Sequence, residues 1–541
     1  MTAMPLGDRA GPGVERPLAF WLGVIACTAG VVLHLPMYLH ARDMGYRMAG
    51  MQADTPMLVG MVLVVVGLAS VLYGLLPAKG AEVRQAASRV RVRALDDAPL
   101  RKQHAALLLA MTVAITIDVM KPTTLSFVTP GMAAEYGLLP ANPHGHVTVA
   151  WVPLAGITGT VVGSLIWGVL SDCIGRRASL LFAGMLFVTT SICGTMPGFT
   201  WNLVMCALMG IGAGGMLPVA FTLLAETMPA RHRGWAMVLI GGNGVGAYLL
   251  VSWLSGALTP HYSWRILWLI GLPTGLLFMV VGRWIPESPR YLIARGRTAE
   301  ARAVMAHYGA AAHDISHGRI GEPGEGVGVA PRVRTPLLET SLAIACLGLG
   351  IGLVTYGFQQ WVPTNLQRLG YTSVKSDYTI RNASLIGLPL TALSAWMYAA
   401  LGSRRTLLSV SLVTSTALAV FAIWGDQLAH TRTLLSLLLV VPIAGTSSLA
   451  AVAVGYAAEV YPTRMRARGT GLAAALTKAG GVLILAVVVG IKTVPSIGAT
   501  AIFGAIPLLL SALALLRVGP ETKARRLESI TEDATPTPER V

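Results

Sequence analysis

The run AITIDVMKPTTLSFVTP, residues 114–130, sets Asp118 and Lys121 three residues apart inside a long apolar stretch, with Pro122 directly after. Asp118 lies about fourteen residues into its helix, near the centre of a bilayer at ~1.5 Å rise per residue. A charge at that depth costs at least about 2.5–3.5 kcal/mol, so the two need a reason. Residues three apart share a helix face. One reading is a self-neutralising pair that merely tolerates burial. The other is a coupling site on the wall of a central cavity. Burial favours the protonated carboxyl and a nearby cation favours the ionised one, so a residue under both pulls can exchange protons. On that reading Asp118 couples protons and Lys121 anchors an anionic group.

Other polar residues fall in apolar runs. Asn243 sits in GGNGVGAY (241–248), Tyr356, Gln359 and Gln360 near the end of one run, and Lys478 early in another. Each is a candidate substrate contact. Plainer readings are an interhelical hydrogen bond for Asn243, snorkelling for Lys478, and packing or interface roles for Trp151, Trp361 and Trp396. The five cysteines include no CxxC, and the eleven histidines form no HExxH or H-x-x-x-H pair in a membrane helix. No catalytic constellation, metal site or cofactor is therefore expected. The absence of G-x-x-x-x-G-K-[ST] argues against a directly ATP-driven pump.

These residues need membrane helices to position them. The chain of 541 residues is 54% hydrophobic and 12% charged, about half the charge of a soluble domain. Its net charge of +16 reflects arginine and lysine in loops rather than a nucleic-acid surface. Apolar runs predict fourteen helices, near 18–39, 57–77, 105–128, 148–170, 178–196, 201–226, 235–258, 264–285, 338–362, 382–401, 406–425, 432–457, 470–491 and 498–518. The basic segment 79–104 and the arginines between 290 and 334 alternate with the uncharged loop 196–201 and with 129–147, which lacks Lys and Arg; loop 363–381 is the exception. The alternation puts both termini in the cytoplasm of a bacterial inner membrane.

An internal repeat follows. ETMPARHRG at Glu226 to Gly234 recurs as EVYPTRMR at Glu459 to Arg466, and PES at Pro286 recurs as PET at Pro520, with offsets of 233 and 234. GRR at Gly175 to Arg177 has an echo in SRR at Ser403 to Arg405. The chain thus divides into an extra hairpin and basic linker (1–104), a six-helix unit (105–290), a central loop (291–336), a second six-helix unit (337–519) and a tail (520–541). Repeats of this kind hold substrate between the halves near the midplane. A short amphipathic helix is expected near 291–308, and the tail reads as disordered.

GVLSDCIGRR (168–177) follows the G-x-L-[SA]-D-x-x-G-R-R loop signature and resembles the major facilitator superfamily. PESPRYL (286–292), PETK (520–523) and the two E-x-x-P-x-R-x-R elements resemble its sugar porters and metabolite:proton symporters. The resemblance covers roughly 105–525 and implies an all-α membrane fold of two six-helix repeats, here with two extra N-terminal helices, fourteen in all. It implies a cytoplasmic gate at Asp172, Gly175, Arg176, Arg177, Glu226, Arg233, Glu287, Arg290, Glu459, Arg464, Arg466 and Glu521. The second half departs from the signature, having Gly402 and Ser403 where an Asp is expected, so the gate should be asymmetric. WVPTNLQRLGY (361–371) resembles aromatic-acid and organic-acid symporters more than the sugar porters. Those symporters carry D-x-x-D where this chain has Asp118 and Lys121. The expected function is proton symport of a small organic anion, with protons and the bilayer as further partners and a monomer as the working unit. Drug or metabolite export, a sugar-type porter, and a non-transporting membrane sensor are the alternatives.

Overall fold

The computed structural model describes residues 14–77, 90–92, 95–138, 148–310, 320–323, 335–428, 431–461, 466–491, 496–518 and 521–522. Eight helical spans come first: α1 Pro17–Met44, α2 Thr55–Leu75, α3 Lys102–Glu135, α4 Trp151–Ile174, α5 Arg176–Thr195, α6 Phe199–Thr227, α7 Ala230–Tyr262 and α8 Ile266–Trp284. Two short helices follow, α9 Pro289–Ala294 and α10 Thr298–His307. The second half holds α11 Leu338–Arg368, α12 Ser373–Leu401, α13 Ser403–Gly425, α14 Thr433–Val460 and α15 Arg468–Ile491, then α16 Ile497–Val518. Thirteen of these are long and apolar enough to cross a membrane, and α16 adds a shorter apolar stretch, Gly498–Ala514. Each of the fourteen expected runs falls on one of them. Most carry a shell of exposed Leu, Ile, Val and Trp, the surface that lipid covers.

Local chemistry sets several boundaries. Asp54 accepts from Met57 N and is followed by a proline at the start of α2. Thr372 caps α12 in the same way, and Ser288 caps α9. A side-chain acceptor at that position satisfies a backbone N–H that the helix leaves unpaired. The first helix of each half is irregular: α3 contains Pro122 and Pro130, and α11 passes through a π turn at Val354–Phe358 and a 3-10 turn at Gln359–Trp361. Such breaks free backbone groups where a cavity can use them.

The halves meet along α4 against α15, α7 against α12 and α14, and α3 against α11. The extra hairpin packs on the outside of the first half, against α5. Its two helices approach closely: a Cβ on Gly23 would lie 2.6 Å from the Gly67 carbonyl oxygen, and one on Gly30 2.7 Å from that of Gly60. A separate core joins Phe20, Cys27 and Val31 of the hairpin to Met185, Val188 and Ile192 of α5. At one end the loop after α1 is bound by Glu135, which accepts the N–H groups of Met48 (2.8 Å) and Ala49 (3.1 Å). Glu135 also accepts from Arg265 (2.7 Å) and Trp264 (2.8 Å). Arg265, fully buried, donates further to the carbonyls of Gly194 and Met196. At the other end Glu15 pairs with Arg295.

The linker and central loop share an antiparallel pair, β1 Val90–Val92 with β2 Ile320–Pro323. The amphipathic helix expected near 291–308 is split into α9 and α10 around Gly296, whose φ of +74° suits glycine. Tyr308 packs edge-on against His104 at 5.1 Å, beneath the start of α3. The rest of the central loop and the tail from 523 lie outside the described residues.

Candidate functional site

Between the halves lies a small cavity of about 80 Å³. Thr123 of α3 and Tyr248 of α7 line it from the first half, with Tyr356, Gln359, Gln360 and Thr446 from the second. Its polar groups are hydroxyls and amides, and no charged residue lines it. Gln359 is fixed by donating to the Pro442 carbonyl (2.7 Å) and to Thr446 (2.5 Å). Gln360 accepts from Ser126 of the other half at 3.0 Å, while its amide nitrogen is buried without a partner. Tyr356 fits because Gly481 has no side chain; a Cβ there would overlap the ring.

The charges sit beside this cavity, but not as the spacing suggests. Asp118 and Lys121 are 5% and 4% exposed, and they make no ion pair with each other. Lys121 turns into the first half, against Ser191 and Gly271, where a Cβ would collide with its ammonium. Its nitrogen has no hydrogen-bond partner, and it does not line the cavity. Lys478, more than three hundred residues away in the second half, is near enough to interact electrostatically with Asp118, but the two form no ion pair and Asp118 Oδ1 has no hydrogen-bond partner. Lys478 does not snorkel to a helix end. It crosses the seam and donates to Ser164 Oγ (3.1 Å) and the Gly214 carbonyl (3.4 Å). Tyr356 lies within reach of the Asp118 charge as well. Asn243 stands at a break in α7 and donates to Thr116 at 2.5 Å, the interhelical bond that is its plainer reading; it does not line the cavity. Sequence reasoning passed over Tyr248, although it ends the GGNGVGAY run, and also Ser126, Thr446 and Asp377. Tyr248, Ser126 and Thr446 are polar residues within apolar runs, the signal that marked the others; Asp377 lies in the charged segment 363–381, read as a loop, and carried no such signal.

The loop motifs gather at one end of the bundle. Arg176 pairs with Asp172 (2.7 Å) and approaches Glu226 (3.5 Å), which Arg290 also reaches (3.4 Å). All four lie within the first half. Arg233 points elsewhere, to Asp96 of the linker (3.1 Å) and across the seam to Glu459 (4.0 Å). Glu459 also accepts from Tyr398 at 2.7 Å. Arg464 and the side chain of Arg466 lie outside the described residues.

Glu287 and Glu521, expected in the same gate, each bind backbone N–H groups at a helix start. Glu287 accepts the N–H of Arg176 (2.8 Å) and of Arg177 (3.3 Å) at the start of α5. Glu521 accepts those of Ser403 (2.9 Å) and Arg404 (3.4 Å) at the start of α13. Each carboxylate caps a helix N-terminus from a distant loop, where the helix dipole favours negative charge. Burial pushes the Glu287 carboxyl above its ordinary value, against the pull of these donors and of Arg176. The approach requires glycine beforehand: Gly175 and Gly402 have φ of +101° and +93°, and a Cβ would lie 2.5 and 2.6 Å from the glutamate oxygens.

This pairing corrects the register of the repeat by one residue. Gly175 corresponds to Gly402, so Arg176 corresponds to Ser403 and Asp172 to Ala399. The second half has neither member of the Asp172–Arg176 pair, carrying Ala399 and Ser403 instead.

The family model described as Major Facilitator Superfamily matches residues 106–427. The chain is 28% identical over 449 residues to the Niacin transporter NiaP of Acinetobacter baylyi, covering 81% of this chain and 99% of that one. It is also 28% identical over 417 residues to the Inner membrane metabolite transport protein YgcS of Escherichia coli, covering 72% and 87%. Among solved structures it resembles the partially occluded inward open conformation of the xylose transporter XylE from E. coli. That match has a TM-score of 0.62 at 17% identity over 79% of this chain and 100% of that one. This last likeness is one of fold.

Proposed function

Because the chain belongs to the major facilitator superfamily, we propose that it carries a small organic anion together with protons by alternating access. The matches themselves show a multi-pass membrane transporter and not an enzyme. Asp118 and Lys478, opposite charges from opposite halves with no ion pair between them, and the small cavity between the halves support transport of an anion with protons. A carboxylate arriving in the cavity competes for Lys478 and weakens its hold on Asp118, which then takes up a proton. The load is thereby sensed by both halves at once. Niacin, the cargo named for one relative, is a small aromatic carboxylate, and rings of that size suit the two tyrosines. The anion-anchoring role is assigned to Lys478 rather than Lys121 because its ammonium reaches the seam between the halves, whereas that of Lys121 packs inside the first half. The basic loops support cytoplasmic termini in a bacterial inner membrane.

A second reading has one observation in its favour. The lining of uncharged hydroxyls and amides also suits a polyol, as in a sugar-type porter.

A thermal-stabilisation screen on the purified protein separates the two, because a bound ligand raises the melting temperature by mass action. Small carboxylates, aromatic acids and sugars are compared on wild type, Lys478→Ala and Lys121→Ala. Carboxylates should stabilise wild type and Lys121→Ala but not Lys478→Ala. Stabilisation by sugars alone, or by carboxylates in Lys478→Ala, would overturn the anion reading.

A further inference from the structure

Asp377, one turn into α12, is a second carboxylate in the seam between the halves, and the mechanism above makes no use of it. It is 5% exposed. Its Oδ2 accepts from Ser255 Oγ of α7 at 2.7 Å, and that hydroxyl lies 3.3 Å from Thr259 Oγ1. Next to it Tyr378 closes the same seam, so tightly that a Cβ on Gly256 would lie 2.5 Å from the ring. These contacts stand at the end of the bundle opposite the loop motifs. A pocket of about 370 Å³ reaches the carboxylate from that end, lined also by Ser255, Thr259 and Gln367.

The charged and titratable groups around it are few. Arg47 of the hairpin loop, Glu135 of α3 and His261 of α7 line the same pocket. Glu135 is occupied by Arg265 and Trp264. On its own helix, Lys375 is exposed and Arg381 stacks over Tyr378 at 4.4 Å. None of them forms an ion pair with Asp377. A carboxylate only 5% exposed, with one hydroxyl partner and no ion pair, is a poor place for a charge. Widening of the pocket would surround it with more water.

We propose that Asp377 is a proton-exchange residue that latches the end of the transporter opposite the motif loops. Closed, the protonated carboxyl holds α12 to α7 through Ser255. As the halves part there, the pocket widens, water solvates the carboxylate and the proton leaves, and the charged carboxylate opposes closure until a proton returns. The step is a simple acid dissociation, with solvent as the acceptor. This rests on the alternating-access reading, and it adds a second titrating group, at a different depth from Asp118.

The test reads opening directly rather than through transport. Gln367→Cys places a thiol in the pocket, and a membrane-impermeant maleimide reports its access in reconstituted vesicles, with labelling of the unsubstituted chain subtracted. Labelling should rise severalfold from mildly acidic to mildly alkaline pH. Added Asp377→Asn should hold it low at both, because the neutral amide keeps the seam shut without a proton. Asp377→Glu should restore the pH response, which guards against a merely misfolded amide variant. Asp118→Asn should leave the response in place. An unchanged pH response in Asp377→Asn would overturn the latch while sparing alternating access. Labelling that never changes, with pH or with a carboxylate that stabilises the protein, would overturn both.

Discussion

The join between the hairpin and the first half differs in kind from the join between the two halves. The hairpin is bound by a carboxylate with its acceptors filled: Glu135 takes two backbone N–H groups, an indole N–H and a buried guanidinium. Beneath it lies an apolar core continuous with α5. The seam between the halves relies on single, widely spaced polar contacts: Ser126 to Gln360, Ser255 to Asp377, Lys478 to Ser164, Arg233 to Glu459. It also leaves buried groups without partners, among them Asp118 Oδ1 and Gln360 Nε2. A joint that never opens can saturate its hydrogen bonds. On the alternating-access proposal, a joint that must part is better built from few bonds, each worth about 0.5–1.5 kcal/mol net, that water or cargo can replace.

The largest effect should follow from attacking the fixed joint. Glu135→Ala strands the Arg265 guanidinium in the interior, and breaking a buried pair in this way costs about 3–5 kcal/mol. The melting temperature of the purified protein should fall sharply, and protease should cut the loop between α1 and α2 faster. If neither changes, the hairpin is held by its apolar core alone.

A middle-sized effect should come from the caps that lie within each half. Glu287→Gln and Glu521→Gln remove the charge while keeping the shape, and loss of a cap costs about 0.5–2 kcal/mol. Glu287→Gln should be the more damaging, because Arg176 beside it carries a charge where the second half has Ser403. Equal losses of thermal stability would mean that the two repeats share one mechanism of capping and nothing more.

The smallest effect on stability is expected at the moving seam. Ser126→Ala should lower the melting free energy by no more than about 1 kcal/mol while changing the rate at which the halves exchange. A stability loss as large as that of Glu135→Ala would erase the distinction between the joints.

Much of the fold was legible because it depends on local properties. Apolar runs mark spans whatever they pack against, and all fourteen fall where hydropathy puts them. The repeat was legible through its punctuation, PES and PET, but the purpose of that punctuation was not. A carboxylate in Glu287 reads from sequence as a member of the charged gate. Only the fold brings it over the start of α5, more than a hundred residues earlier. The partner of Asp118 was illegible for the same reason. Spacing nominated Lys121, which does sit on the next turn. But the side chain of Lys121 finds its room at Gly271, inside the first half, and the field on Asp118 comes from the other repeat. Local pattern reports which residues are buried and costly. It does not report which half will answer them.

The central cavity has one more implication. At about 80 Å³ it holds a few water molecules and leaves no room for a ring that bears a carboxyl group. On the transport reading proposed above, this arrangement is therefore one too narrow for its cargo. Its cargo has to enter another shape of the protein, and the work of widening the chamber is subtracted from the grip the cargo finally enjoys. A loose hold is then the natural state of a vehicle that must also let go.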